Sequence, residues 1–220
     1  MAASHSDDKR PDSRRLADFA AKAAETFVSA YYAASDSPQR VNLVPTLYLP
    51  NSSIVWNGTP VSGQQELGAM LSSMPGSKHE VQAFDCHALG GSVEGANFIA
   101  PSILVTVSGL VSHHTPESQS ARPASNAPKS ATATHTTSRS KGNFDPDAPI
   151  ASHPRAFSQN FVLVDSANFS AGLAGAPDAA LLLPPAADGG VPFNSASGKD
   201  GSVKMNAKFF VQADSFRFVG

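Results

Sequence analysis

Asp85 and His87 lie two residues apart in a stretch, 79–89, that reads as a strand, so alternation puts both on one face. A carboxylate beside an imidazole is the pairing that general acid–base catalysis uses, provided both groups aim at one substrate position. His79 and Glu80 are the other candidates in this stretch. Spacing alone directs neither pair at a substrate, and polar groups on a surface or an interface are the preferred reading. His113 and His114 hint at a metal, but no third ligand follows at a sensible spacing. Cys86 is the single cysteine, so no intrachain disulfide can form and a reducing compartment is expected. No phosphate-binding loop, dinucleotide fingerprint or nucleophile elbow is present. The expectation is a chain with no catalytic residue, no cofactor and no metal.

Two further constellations suit binding rather than catalysis. Ser118 to Lys141 carries Arg122, Lys129, Arg139 and Lys141, together with His135 and no acidic residue. A mobile basic arm of this kind is a candidate RNA contact, since each phosphate it meets releases counterions. It lacks aromatic side chains for base stacking, and the plainer reading is a linker with scattered charge. Near the C-terminal end, Phe216-Arg217-Phe218 alternates within a strand pattern. The two phenylalanines should face a core, leaving Arg217 on the other face beside Ser215 and Val219. An arginine among small and apolar residues on a sheet face suits an interface ion pair.

The elements that must position these residues can be read in order. Leu16, Phe19, Ala20, Ala23, Phe27, Ala30 and Tyr31 recur at helical steps, with Asp12 or Ser13 as the N-cap. A second helix spans about 38–48 and is bent or broken by Pro45. Ile54-Val55-Trp56 reads as a strand, and Asn57-Gly58 as a type I′ turn. Ser62 and Gln65 have capping-box spacing before a helix over 64–74, which Pro75-Gly76 stops. Strands are expected over 79–89, 98–112, 157–165 and 203–219. Ser158, Val162, Val164, Val211 and Val219 are expected on the outward face, making it unusually apolar for a monomer. Helices first and long strands afterwards imply an α+β fold with an antiparallel sheet. Residues 1–13 read as a disordered tail. Residues 14–220 form a single domain with long flexible insertions at about 113–155 and 167–202, rich in Ser, Thr, Ala, Gly and Pro.

The bulk numbers agree with a diluted compact domain: 41% hydrophobic and 15% charged residues, with a net charge of -2 that attracts neither nucleic acid nor anionic membrane globally. Met1 to Arg15 lacks the apolar core of a secretory signal. Phe98 to Val111 is too short and too polar to span a bilayer. A soluble, intracellular chain without membrane contact is expected.

Four blocks in order resemble the small nuclear transport factor 2-like subunit of the heterodimeric mRNA export receptor. They are A-A-E-T-F-V-S-A-Y-Y at 23–32, V-W-N-G-T-P-V-S-G-Q and its following helix at 55–75, F-D-C-H at 84–87, and F-S-Q-N-F-V-L at 157–163 with D-S-F-R-F at 214–218. The resemblance implies a cone-like fold, helices packed into a strongly bent sheet. It implies a heterodimer with the similarly folded domain of the large receptor subunit, formed sheet against sheet. The interface residues it points to are Arg217, paired with a partner carboxylate, and around it Ser215, Val219, Asn160 and Val162. It further implies support of phenylalanine-glycine nucleoporin binding and residence in the nucleus and at the nuclear pore, with shuttling to the cytoplasm. The long insertions look more like the fungal members. Enzymes of the same superfamily, dehydratases and isomerases, work inside the cone with a His and acid pair, and a homodimeric import carrier is the other alternative.

Overall fold

The computed structural model describes residues 12–94, 97–114, 153–166, 195–200 and 203–219. Most of the expected tail and of the two expected insertions lies outside these residues, as do Arg122, Lys129, Arg139 and Lys141. Several of the margins that the structure does describe belong to helices or strands: Asp12 and Ser13 open the first helix, 113–114 and 155 lie in strands, and 195–200 form a strand.

Helix α1 (Asp12–Ser35) leads. Its stripe of Leu16, Phe19, Ala20, Ala23, Phe27 and Tyr31 is buried, and Ala24, Val28 and Tyr32 widen it. Each large apolar side chain fully removed from water contributes about 1.5–3 kcal/mol, which fixes this face on the sheet. A short helix α2 (Arg40–Leu43) then tightens into a 3-10 turn (Val44–Leu47) with Pro45 near its start, the break that proline requires. Strand β1 (Tyr48–Trp56) and strand β2 (Thr59–Ser62) form the hairpin, with Asn57 at φ 48° and Gly58 at φ 89° in the turn.

Helix α3 (Gly63–Ser73) follows with Ser62 as its N-cap residue, but the cap differs from the expected box. The Ser62 side chain makes no capping bond, and the carboxylate of Glu66 accepts from the Ser62 backbone N–H at 2.7 Å. Gly63 has φ 67°, outside helical geometry, so the first true turn starts one residue later and Glu66 replaces Gln65 as the residue that reaches back.

The remaining elements are strands: β3 (Gly76–Leu89), β4 (Ser92–Glu94), β5 (Asn97–Ile99), β6 (Ser102–His114), β7 (Arg155–Asp165), β8 (Ser195–Asp200) and β9 (Val203–Phe218). The main sheet runs β2-β1-β9-β7-β6-β3, with β8 pairing β9. All its pairings are antiparallel except one: β1 runs parallel to β9, so the sheet is mixed. That pairing joins the first and last described strands of the main sheet, a non-local contact that no local pattern encodes. The pair β4–β5 stands apart, where the expected strand from Phe98 is interrupted at Ala100 and Pro101.

Two bulges bend the sheet around α1. Gln82 is the extra residue between Val81 and Ala83 on β3, and Gln212 between Val211 and Ala213 on β9. A bulge kinks its strand and strengthens the local twist. The concave side is filled by aromatic rings, with Phe161 edge-on to Phe27 at 5.0 Å and to Tyr31 at 4.7 Å. The fold is α+β with a curled sheet. Among the described residues, no helix is long and apolar enough to cross a membrane.

Candidate functional site

The outer face of the curled sheet gathers the residues singled out on the last two long strands. Along β7, Phe157, Gln159, Phe161 and Leu163 are buried on the inner face, while Ser158, Asn160, Val162 and Val164 alternate outward. On β9, Asp214 and Phe216 are buried inward and Ser215, Arg217 and Val219 lie outward. Register then sets these positions in rows. Ser108, Ser158 and Arg217 face one another across β6, β7 and β9. One row further, Asp85, Thr106, Asn160, Ser215 and Val55 line up from β3 to β1. The next holds His87, Leu104, Val162, Ala213 and Ser53. Val219 lies beside Ala156, whose carbonyl accepts from its backbone N–H at 2.9 Å. The middle of this face is therefore made of small, aliphatic and uncharged polar side chains, with Arg217 at one side and Lys78, Glu80, Asp85 and His87 of β3 at the other.

Val211 departs from the expected outward set. It is fully buried and pairs with Leu163 on the inner face. The bulge at Gln212 reverses the alternation between Val211 and Ser215, so residues that strict alternation groups together end on opposite faces.

Packing on the inner side fixes Arg217. Phe216 is sandwiched between Trp56, stacked at 4.2 Å and 8°, and Phe157 at 5.6 Å and 17°. Phe218 meets Phe216 edge-on at 5.2 Å, and the Arg155 guanidinium lies 3.8 Å from the Phe218 ring centroid. The hairpin turn latches onto the same strand: the Asn57 backbone N–H donates to the Phe216 carbonyl at 2.8 Å, and the Asn57 side chain accepts from the Phe218 N–H at 3.3 Å. These bonds bracket Arg217. The Trp-Asn-Gly turn and the Phe-Arg-Phe strand, 160 residues apart in sequence, thus form one device. Periodicity sees each motif and not their contact.

Beneath Ser215, on the inner side of β9, lies a buried polar cluster that no motif announces. Tyr48 donates to Asp214 at 2.7 Å, and the Gln159 amide donates to both Asp214 oxygens at 3.0 and 2.9 Å. The same amide reaches the Tyr31 hydroxyl at 3.1 Å, Tyr31 and Tyr48 hydroxyls are 3.0 Å apart, and Tyr32 donates to the Gln159 oxygen at 2.9 Å. With Asp214 ionised, each of these protons has an acceptor. Burial nevertheless pushes the Asp214 carboxyl up to about 7, against the downward pull of Tyr48 and Gln159. Burial also drives the Tyr31, Tyr32 and Tyr48 phenols upward, with the Asp214 charge adding to it.

The acid–base candidates separate. Asp85 and His87 do share a face, with His87 Nε2 3.4 Å from Asp85 Oδ2, but that face is the outer one and both side chains are largely exposed. Glu80 is exposed on the same face. His79 turns inward and meets a residue absent from the local pattern, Asp36 at the end of α1: His79 Nδ1 lies 2.6 Å from Asp36 Oδ1, and its backbone N–H donates to Oδ2 at 2.8 Å. His113 and His114 point to opposite faces, as neighbours on a strand must. Among the described residues, no group of three or more His, Cys, Asp or Glu could hold a metal ion. The half-buried Cys86 thiol is pushed up by burial and by the Asp85 carboxylate, which leaves it a poor nucleophile.

Residues 23–122 match the nuclear transport factor 2 (NTF2) domain. The chain is 34% identical over 100 residues to the human NTF2-related export protein 2, which covers 46% of this chain and 67% of that protein. It is 32% identical over 90 residues to the Schizosaccharomyces pombe NTF2-related export protein 1, covering 41% of this chain and 70% of that one. The bovine NTF2-related export protein 1 is 33% identical over 92 residues, 42% of this chain and 62% of the relative's length. The chain thus spans about two thirds of the curated relatives it matches. A solved Mtr2 structure superposes with a TM-score of 0.48 at 15% identity, over 91% of this chain and 99% of that one.

Proposed function

The chain belongs to the family of NTF2-related export proteins, and we propose that it is the small subunit of a heterodimeric nuclear mRNA export receptor. Its role is to bind and stabilise the NTF2-like domain of the large receptor subunit, sheet against sheet. Through that partner it supports phenylalanine-glycine nucleoporin binding at the nuclear pore and shuttles between nucleus and cytoplasm. The observation that carries this reading is the outer face itself. Small, aliphatic and uncharged polar side chains from β6, β7, β9 and β1 lie in register there, with Arg217 held at their side by packing from beneath. A face of that composition is suited to burial against protein, and an arginine fork placed by its neighbours is suited to a partner carboxylate. Arg217, Ser215, Val219, Asn160 and Val162 are the proposed contacts.

The proposed role is binding: of the acid–base candidates, Asp85 and His87 sit exposed on the outer face, and the inward His79 is held by Asp36 at the end of α1. The basic insertion bearing Arg122, Lys129, Arg139 and Lys141 is proposed to touch RNA backbone.

Co-expression with the NTF2-like domain of a large export receptor subunit tests the reading. Size-exclusion chromatography should give a one-to-one heterodimer, while the chain alone self-associates or is poorly soluble. A soluble monomer that ignores such a domain would overturn it. A homodimer that excludes the domain would favour the import carrier instead.

A further inference from the structure

The two edges of the main sheet are unlike. β2 is four residues long and contains Pro60, and shortness and proline both keep an edge from pairing with another chain. β3 runs for 14 residues along the other edge. The bulge at Gln82 interrupts its first part. From Ala83 to Leu89 it pairs with β6 without a shift, and among the described residues nothing pairs with its other side.

This straight stretch carries apolar surface that no element covers. Phe84 is 41% and Leu89 48% exposed, two of the four large apolar side chains that stand exposed among the described residues. Phe84, Cys86 and Ala88 lie across from the fully buried Val107, Val105 and Ile103, so they belong to the inner face. Asp85 and His87 face outward, with side chains 77% and 66% exposed. The Cys86 backbone N–H donates to the Asp85 carboxylate at 2.8 Å, the local substitute that an edge donor takes when no neighbouring strand accepts from it.

The sequence of this edge is complementary to itself. Laid antiparallel against a second copy with the two-fold axis at Cys86, Ala83-Phe84-Asp85-Cys86-His87-Ala88-Leu89 sets residue 85 opposite 87, 84 opposite 88 and 83 opposite 89. Each Asp85 carboxylate then meets an imidazole on the outer face, twice by symmetry. Each Phe84 meets the small Ala88 on the inner face, and each Leu89 the small Ala83. Directly opposed side chains of this kind stabilise an antiparallel pair, and like charges there destabilise it. The neighbouring registers that keep both inner faces together set Asp85 against Asp85 or His87 against His87, so the register about Cys86 is favoured. With the Cys86 N–H exchanged into the new ladder, residues 85 and 87 form a non-hydrogen-bonded pair, the kind whose side chains approach more closely.

We propose that β3 is a docking edge for a second copy of this chain: the two pair antiparallel through Ala83–Leu89, with Asp85 of each against His87 of the other. The heterodimer contacts proposed above lie on β7 and β9, which β6 separates from β3, so the edge stays open when that face is covered. The resulting assembly is a pair of heterodimers. A single strand edge is a small interface, so the association is weak and depends on concentration.

Sedimentation equilibrium of the full chain bound to the NTF2-like domain of a large export receptor subunit should show one-to-one complexes joining into two-to-two complexes as concentration rises. Asp85→Lys sets a cation against His87, and His87→Glu sets an anion against Asp85. Either change should weaken the joining step by about tenfold. Both changes in one chain restore opposite charges across the axis and should recover wild-type association to within about threefold. Cys86, the single cysteine, lies on the axis, and directly opposed strand residues are spaced as a disulfide requires. Oxidation with diamide should therefore join Cys86 to Cys86 of the second copy, as mapped by mass spectrometry. That product reads the edge with or without a partner domain, so a failed heterodimer and a failed edge pairing give different results. Where no heterodimer forms, the same series is read on the chain alone. Any of three results overturns the proposal: no Cys86 disulfide at the highest soluble concentration, single variants that associate like wild type, or a double variant as weak as the single ones.

Discussion

Packing, and not its own charge, decides where Arg217 points: the stack of Trp56, Phe216 and Phe157 beneath it and the Asn57 latch around it leave the guanidinium only the outer face. Breaking a desolvated charge pair by removing one member typically costs about 2–5 kcal/mol at an interface. Arg217→Ala should therefore weaken the heterodimer by at least roughly tenfold in a titration, with the thermal midpoint of the free chain unmoved. Arg217→Glu should weaken it further, and a lysine in place of the partner carboxylate should recover part of the loss. Normal binding by Arg217→Glu would remove this residue from the interface. Three residues earlier, on the inner side of the same strand, Asp214 makes a different prediction. Its folded-state value near 7 lies above the ordinary 3.8, so the folded chain holds the proton more tightly than the unfolded one. Stability from this group is complete below about pH 4 and is lost as pH rises through about 7, with a slope of at most about 1.4 kcal/mol per pH unit. Urea denaturation between pH 5 and 7.5 should show a flatter dependence in Asp214→Asn than in wild type. An identical slope would mean that Asp214 does not titrate in this window.

At the scale of elements, the C-terminal end of α3 shows what local pattern reveals and what it hides. Pro75-Gly76 marks the stop, and the helix does end just before it. The donors that satisfy its last carbonyls come from a distant residue, Arg40 of α2, which reaches the Pro75 carbonyl at 2.6 Å and the Leu71 carbonyl at 3.0 Å, and also bonds the Met74 carbonyl. Replacing Arg40 by Ala strands these groups at a half-buried helix end and should lower stability by about 1–3 kcal/mol in thermal or urea unfolding. Lysine should not restore it, because a single ammonium cannot span the fork's separate acceptors. A wild-type midpoint in Arg40→Ala would show that water replaces the guanidinium without loss. The same division runs through the sheet. The alternation of β7 is legible because its inner face is buried throughout, against α1 side chains at Phe157, Gln159 and Phe161, so Phe157 to Leu163 keep period two. The reversal at Gln212 is not legible, since a bulge is defined by register against β7 and not by its own residue type. The Asp36–His79 pairing and the Tyr–Gln–Asp cluster are hidden for the same reason: their members come from α1, β1, β3, β7 and β9, and only the closed fold brings them together.

For the whole molecule, the two proposed binding functions are assigned to different parts, and salt can separate them. The outer face offers an extended contact of small and aliphatic side chains, whose burial depends weakly on ionic strength. The insertion between β6 and β7 carries four cations, Arg122, Lys129, Arg139 and Lys141, in a chain whose net charge is -2. Nucleic-acid binding by such a chain must be local, and each phosphate contact contributes a fixed increment to the slope of log affinity against log salt, about 0.7 for single strands. Replacing all four cations by Ser should therefore leave heterodimer formation unchanged in size-exclusion chromatography. The RNA affinity of the heterodimer should fall, and the salt slope should shrink by up to roughly three units if all four touch phosphate. The loss should be largest at low salt, where counterion release is most favourable, and should fade as ionic strength rises. An unaltered slope would make the insertion a linker and would leave RNA contact to the partner subunit. Loss of the heterodimer in this variant would instead place the insertion at the protein interface, against the division of labour proposed between the sheet face and the loop.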